Sequence, residues 1–180
     1  SLILISDLEE IIVSLISKGY IFKKFSELNG TRKEICITFD DGYANNLLLR
    51  DLAQKYKIPF TIFVCGRFIE EVKMYWWDIQ YNIGPVTKPF KIKKNYSAES
   101  LWNNYSVQKS DSLISQINRP LTIDELVSLS KDSFFEIGCH TYSHTIANRI
   151  NAASFVKDVE RSIAFIENVT GKRPRCFAFP

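Results

Sequence analysis

Two sets of residues in this 180-residue chain have the types and the spacing of a catalytic metal site. Asp40 and Asp41 are adjacent carboxylates followed by Gly42, and His140 and His144, the two histidines of the sequence, stand four residues apart. Adjacent carboxylates repel each other, which favours a positive partner such as a metal ion. Histidines four residues apart share one face of a helical turn, a common geometry for a transition metal. The two patterns therefore predict a divalent-metal site.

Each pattern also has a plain structural explanation. Asp and Gly favour turns on their own account, and two polar histidines can satisfy the hydrogen bonds of a loop. The number of donors favours chemistry, because one carboxylate and two imidazoles provide three ligands and leave a fourth position for water. That arrangement is typical of a catalytic zinc site rather than of a closed structural one.

The predicted secondary structure places both patterns at one edge of a sheet. Residues 34–39, rich in β-branched and aromatic types, predict a strand that ends at the two aspartates. A helical pattern over 43–56 and a second strand over 60–64 complete a βαβ unit, which is parallel and right-handed. A third strand over 134–138 ends next to His140. Catalytic groups collect at the carboxyl ends of parallel strands, so we expect both patterns on the same rim.

The remaining segments predict further elements of an α/β fold. The sequence Ser6-Asp7-Leu8-Glu9 is typical of a capping box at the start of a helix over 6–18, and a second capping box begins a helix at Thr122. A long helix over 152–169 and a fourth strand over 176–179 follow.

An irregular stretch interrupts this order at about 66–133. It holds all three tryptophans of the chain, which makes it too aromatic for a disordered linker. We expect an aromatic-rich insertion with short helices, inside a single domain that covers 1–180.

The composition allows one domain with a hydrophobic core and argues against two classes of partner. Hydrophobic residues make up 46% of the chain, which is enough for such a core. The formal net charge of +3 is spread along the sequence without a basic stripe, which argues against nucleic acid. The apolar runs are short and interrupted by polar residues, so no transmembrane segment is expected.

The cellular compartment stays open at this point. No signal peptide is visible, but the sequence starts at Ser1 without a Met, so its natural start can lie upstream. The cysteines contain no C-x-x-C pair and are expected as buried reduced thiols: Cys36, Cys65, Cys139 and Cys176. Reduced thiols lean toward a reducing, cytoplasmic compartment.

The two patterns resemble the motifs of a known family. Residues 38–42 (TFDDG) and 140–144 (HTYSH) look like the first two motifs of the polysaccharide deacetylases, carbohydrate esterase family four, which includes the chitooligosaccharide and peptidoglycan deacetylases. Residues 177–180 (FAFP) resemble the start of the third motif. The segment 76–78 (WWD) is similar to an insertion found in some bacterial members.

The resemblance implies a fold, an activity and a set of roles. The fold would be an incomplete distorted (β/α) barrel, and the reaction would remove N-acetyl or O-acetyl groups from a polysaccharide or oligosaccharide. By matched position, Asp41, His140 and His144 would hold one divalent metal ion, zinc in most members. Asp40 would be the general base that takes a proton from water.

Two tryptophans are candidates for contact with the acetylated glycan substrate. Trp76 and Trp77 could offer a flat apolar face to a sugar ring. Aromatic residues of an insertion also form local core, so both interpretations stay open.

The chain departs from the family pattern in ways that leave other functions open. Ala178 stands where many members carry an Arg that steadies the catalytic Asp. The backbone N–H that serves the oxyanion and the histidine taken as general acid would follow Pro180. The resemblance therefore implies the front half to two-thirds of a domain, inactive on its own. Alternatives are a module that binds metal or glycan without turnover, and an amidase that acts on a non-sugar amide.

Overall fold

A computed structural model describes residues 3–30, 33–75, 77–78 and 118–180. Helices in the described part are α1 (Ile5–Ser17), α2 (Leu49–Tyr56), α3 (Gly66–Glu70), α4 (Ile123–Lys131) and α5 (Ala152–Thr170). Strands in the described part are β1 (Ile21–Phe22), β2 (Glu34–Ile35), β3 (Thr38–Phe39), β4 (Phe60–Val64) and β5 (Phe135–Cys139). Short 3₁₀ turns occupy Phe25–Glu27, Ala44–Leu48 and Ala147–Arg149.

The central sheet is parallel and has the strand order β3-β4-β5. Thr38 pairs with Thr61, and Val64 pairs with Cys139, so the carboxyl ends of the three strands lie at one edge. All five residues of β4 are buried, as expected for a parallel strand covered on both faces. The predicted βαβ unit and the predicted third strand are confirmed, and with them the shared rim.

The hydrophobic core connects this sheet to the helices beside it. Its buried members come from α1, α2, α4, α5 and the strands, and include Ile12, Leu52, Ile62, Leu126 and Ile166. The burial of these side chains fixes the sheet against the helices and so fixes the position of the rim. In the part of the chain that the structure describes, no helix has both the length and the apolar character needed to cross a bilayer.

The predicted strand over 34–39 is divided in the structure. Its first part, β2, pairs in parallel with β1, and its second part, β3, pairs with β4. The change of partner falls at Cys36 and Ile37, where the Ile37 carbonyl oxygen already accepts a bond from the Thr61 N–H at 3.1 Å. The prediction of one continuous strand was wrong because one pattern of side chains serves two sheets.

Two further predictions need correction. Helix α1 begins at Ile5 with Leu4 at the N-cap and no capping side chain, so Ser6 lies inside the helix and forms no capping box. The predicted strand over 176–179 is reduced to a single parallel bridge between Phe177 and Cys139.

Helices α4 and α5 follow the predictions. The Thr122 hydroxyl accepts from the Glu125 N–H at 3.2 Å, and the Glu125 carboxylate accepts from the Thr122 N–H at 2.8 Å, which completes the capping box. Helix α5 is capped by the Asn151 side chain and ends at Gly171, whose φ is +71°.

Candidate metal centre

The two motifs meet at one oxygen of Asp41. This atom, Oδ1, lies 3.5 Å from Nε2 of His140 and 3.3 Å from Nε2 of His144. Oδ1 is buried and makes no hydrogen bond. A buried carboxylate oxygen without a partner is costly, and a cation between the oxygen and the two nitrogens would remove that cost.

The orientation of His140 is set by a backbone carbonyl. Its Nδ1 lies 3.0 Å from the carbonyl oxygen of Ala178, so Nδ1–H donates and Nε2 keeps its lone pair on the side of Asp41. The imidazole is 2% exposed, and burial lowers its pKa, with the neighbouring His144 acting in the same direction. A neutral imidazole with a free Nε2 is the form that binds a metal.

The segment that carries the histidines is a loop and not the helical turn that the spacing suggested. Thr141 and His144 both have left-handed backbone, with φ of 62° and 55°. The Asp158 carboxylate on α5 accepts bonds from the N–H groups of Tyr142 (2.9 Å) and Ser143 (3.2 Å). These bonds replace the i to i−4 bonds of a helix and hold the two imidazoles toward Asp41.

The aspartate motif is held by segments distant in sequence. Asp41 has a φ of 70°, and its carbonyl oxygen accepts bonds from the Tyr75 hydroxyl at 2.8 Å and the Cys65 N–H at 3.2 Å. The Leu121 N–H donates to the Gly42 carbonyl at 2.9 Å. The sequence did not predict that Tyr75, Cys65 and Asp158 support the two motifs. Each bonds to a backbone group at least 16 positions away, and no local sequence pattern reports such a contact.

The donor set fits a divalent cation. Asp41, His140 and His144 offer one carboxylate and two imidazoles around a buried oxygen that has no hydrogen bond. Carboxylate and imidazole donors are the ligands of catalytic zinc and of related divalent ions.

Comparison with known proteins identifies the family. Residues 27–180 match the sequence model of the family described as polysaccharide deacetylase. The chain belongs to the polysaccharide deacetylase family. A search of curated protein sequences finds no significant match.

Solved structures share the fold of this family member at low sequence identity. A polysaccharide deacetylase from Bacillus cereus aligns with a TM-score of 0.61 and 17% identity, over 96% of this chain and 42% of its own. IcaB from Ammonifex degensii aligns with a TM-score of 0.63 and 16% identity, over 97% of this chain and 65% of its own. The deacetylase PplD from Streptococcus pyogenes, solved in complex with acetate, aligns with a TM-score of 0.62 and 13% identity, over 96% of this chain and 60% of its own.

These likenesses confirm the predicted fold class, an incomplete distorted (β/α) barrel of polysaccharide deacetylase type. The chain spans about two-fifths to two-thirds of the length of these three structures. The predicted insertion at about 66–133 lies mostly outside the described residues, and its described ends include α3 and α4.

Asp40 has a different environment from Asp41 in this deacetylase-family chain. It directly follows β3, and its side chain is exposed at the rim. Among the described residues no hydrogen-bond or ion-pair partner holds its carboxylate, and Ala178 places no cation beside it. Its negative charge reaches the imidazole of His140, where it acts to raise the pKa against the effect of burial.

Trp77 lies against the histidine motif, whereas Trp76 falls outside the described residues. The indole of Trp77 packs on the imidazole of His144 with ring centroids 4.5 Å apart, and its Nε1–H donates to the Tyr43 hydroxyl at 2.6 Å. That hydroxyl in turn donates to the Asp78 carboxylate at 2.8 Å. Burial raises the pKa of Asp78, and the negative charge of Asp41 adds to this effect. The contact of Trp77 with a sugar ring stays a prediction.

Cys65 brings a thiol to the same place. Sγ of Cys65, a carboxylate oxygen of Asp41 and a ring nitrogen of His140 all lie within 4.8 Å of one another. The thiol is fully buried and makes a weak bond of 3.3 Å to the carbonyl oxygen of His140. Burial raises the pKa of the Cys65 thiol well above its usual value, and the nearby carboxylate of Asp41 adds to the shift.

Proposed function

We propose that this chain carries the metal site and the general base of a metal-dependent deacetylase that removes N-acetyl or O-acetyl groups from a polysaccharide or oligosaccharide. The observation that carries the proposal is the buried, unpaired Oδ1 of Asp41, which faces Nε2 of both His140 and His144. Membership of the polysaccharide deacetylase family supports the reaction class.

Asp41, His140 and His144 would hold the ion, and we propose zinc because one carboxylate and two imidazoles are typical donors of a catalytic zinc site. A divalent ion bound there supplies Lewis-acid chemistry, which polarises a carbonyl and acidifies water. The chain contributes the fixed geometry. The Ala178 carbonyl keeps the proton of His140 on Nδ1, and the Asp158 carboxylate accepts two backbone N–H groups of the loop that carries both imidazoles.

Asp40 is the general base of the proposed reaction. A water oxygen attacks the acetyl carbon while Asp40 takes one proton of that water. The bond from carbon to nitrogen (or oxygen) then breaks, a proton is delivered to the departing amine (or hydroxyl) group of the sugar, and acetate is released. Asp40 is exposed at the rim, and its carboxylate has no ion-pair partner among the described side chains, which leaves it available for this role.

An acetylated glycan is the proposed substrate. The site lies at the carboxyl ends of β3 and β5, where an α/β fold leaves space for a ligand. The structure of the Streptococcus pyogenes deacetylase contains acetate, the product that this reaction releases. Trp77, next to His144, is the described aromatic residue best placed to meet a sugar ring.

The test combines metal analysis with acetate release in the full-length natural protein. We expect Asp40→Asn to retain zinc and to lose activity on acetylated chitooligosaccharides by about a hundred- to ten-thousand-fold. Asp41→Ala and His140→Ala should lose the zinc itself, and Asp51→Asn, on the outer face of α2, should change neither.

Each alternative gives a different result in the same assay. Zinc binding without acetate release from any glycan would indicate a binding module. Turnover of small amides in preference to acetylated glycans would indicate an amidase. Stoichiometric zinc in the His140→Ala protein would remove that residue from the site.

A further inference from the structure

The carboxyl end of β4 carries a donor that neither motif includes. Cys65 directly follows β4, between the strand that leads to Asp41 and the strand that leads to His140. Its side chain is fully buried, and its Sγ lies within 4.8 Å of donor atoms of both residues. The rim therefore places a thiol beside two residues of the proposed metal site.

The neighbouring imidazole supplies a second, independent observation. His140 is 2% exposed, its Nδ1 is occupied by the Ala178 carbonyl, and its Nε2 makes no hydrogen bond within the described part of the chain. Nε2 is directed at Oδ1 of Asp41, which also lacks a hydrogen bond. A buried carboxylate oxygen without a hydrogen bond, an imidazole nitrogen and the thiol thus border one small volume.

Asp41 and His140 consequently belong to two overlapping donor sets. With His144 they form an oxygen and nitrogen set, and with Cys65 they form a set that includes sulfur. Carboxylate and imidazole accept a broad range of divalent ions, whereas a thiolate selects soft, thiophilic ions. The identity of the third donor therefore decides which ions bind most tightly.

We propose that Cys65 is a metal ligand of this chain, and that thiophilic divalent ions such as Cd²⁺ bind through Asp41, Cys65 and His140, a donor set that Co²⁺ can report by its absorption spectrum. When such an ion binds, the thiol proton leaves to solvent and a bond from Sγ to the metal replaces the weak bond from Sγ–H to the His140 carbonyl. The inference rests on the proposed function, because it concerns the same site. The thiol of Cys65 would give the site formed by Asp41, His140 and His144 a preference for thiophilic ions.

The buried position of Cys65 by itself is also that of a small packing residue. Its cluster consists of Phe68 and Tyr75, with Tyr43 and Trp77 packed against it. Packing alone predicts that replacing sulfur by oxygen changes stability and leaves the spectrum of a bound metal unchanged. Coordination predicts a change in the metal spectrum.

The experiment is a Co²⁺ titration of the full-length natural protein, followed by absorption. We expect a near-ultraviolet charge-transfer band from thiolate to cobalt in the wild type, and its loss in Cys65→Ser with the visible cobalt bands retained. Cys139→Ser is the matched control, because this cysteine of β5 is equally buried and does not belong to the group of donor atoms around Asp41. Cd²⁺ affinity should fall at least about ten-fold in Cys65→Ser, while Mn²⁺ affinity stays constant.

The wild-type protein alone can overturn the inference. Bound Co²⁺ without a charge-transfer band, or bound Cd²⁺ without sulfur in its X-ray absorption fine structure, would exclude Cys65 as a ligand and leave the proposed function intact. Failure of the wild type to bind any divalent ion would overturn the proposed function together with the inference. A misfolded Cys65→Ser protein does not affect these two wild-type measurements.

Discussion

The indole of Trp77 packs on the imidazole of His144, with ring centroids 4.5 Å apart and an angle of 44° between the rings. The same indole donates a hydrogen bond to Tyr43, which follows the aspartate motif by one residue. One side chain therefore joins a histidine of the proposed metal site to the residue that follows the aspartate motif. Because His144 lies on a loop with left-handed backbone, its ring depends on such neighbours for its direction.

The contact predicts a role for Trp77 in metal binding. We expect Trp77→Ala to lower zinc affinity by about ten-fold or more, as supporting contacts of metal ligands commonly do. Trp77→Phe should retain most of the affinity, because the ring contact survives the loss of the Nε1–H. Zinc affinity measured by chelator competition checks both variants. A rise in KM with unchanged zinc affinity would instead place Trp77 in the sugar site, as the sequence analysis suggests.

Asp158 is the second residue that we expect to act through the histidine loop. Its carboxylate accepts hydrogen bonds from the N–H groups of Tyr142 and Ser143. Asp158→Ala leaves both partly buried groups without their partner, at a cost of at most about 1–3 kcal/mol for each. We predict lower stability together with zinc affinity reduced by about ten- to a hundred-fold. Glu160→Ala, which removes an exposed carboxylate from the same helix, is the control. Unchanged zinc affinity in a folded Asp158→Ala protein would contradict the prediction.

The rim was predictable from the sequence because strands and their ends have local signals. The β-branched run before Asp40 and the apolar run before His140 identify parallel strands, and the carboxyl ends of such strands meet. Spacing alone was a poorer guide. The four-residue interval of the histidines suggested a helical turn, yet the amides of this loop bond to Asp158 and not to carbonyls four positions earlier.

The supporting residues could not be predicted for a related reason. Tyr75 holds the Asp41 carbonyl across 34 positions of sequence, and Cys65 reaches the site through the register of β4 between its neighbours. These relationships exist only once the sheet has formed. A hydrophobic period reports that a side chain is buried, and it does not report which polar group the side chain meets.

The ion pair of Arg119 and Glu125 predicts a stability that depends on pH. Two bonds of 2.7 Å join the side chains, and this pair holds the pKa of Glu125 below its ordinary value of 4.5. Because the folded state has the lower pKa, the stabilisation is complete above about pH 4.5 and is lost as the pH falls through the lowered pKa. The pair also supports the site, since the Arg119 carbonyl accepts from the Ala44 N–H.

Glu125→Gln should therefore destabilise the protein at neutral pH and much less in acid. Both side chains are a quarter to a third exposed, which limits the effect to about 1 kcal/mol. Urea unfolding at neutral pH and at about pH 3 measures the difference. Glu10→Gln on the exposed face of α1 is the control. An equal loss at both pH values would show that the charge of Glu125 is not the cause.

At Gly42 the backbone conformation and the neighbouring side chain both exclude a Cβ atom. Its φ is +82°, and a Cβ would lie 2.9 Å from Cγ1 of the buried Val64. Gly171 has a similar φ of +71° with open space around it, so Gly171→Ala measures the backbone cost alone, about 1–2 kcal/mol. We expect Gly42→Ala to cost about 1–3 kcal/mol more from overpacking, and to lower zinc affinity because Asp41 precedes it. Equal unfolding free energies for Gly42→Ala and Gly171→Ala would mean that β4 shifts to accommodate the new methyl group. An unchanged zinc affinity in Gly42→Ala would mean that the turn does not need glycine to place Asp41.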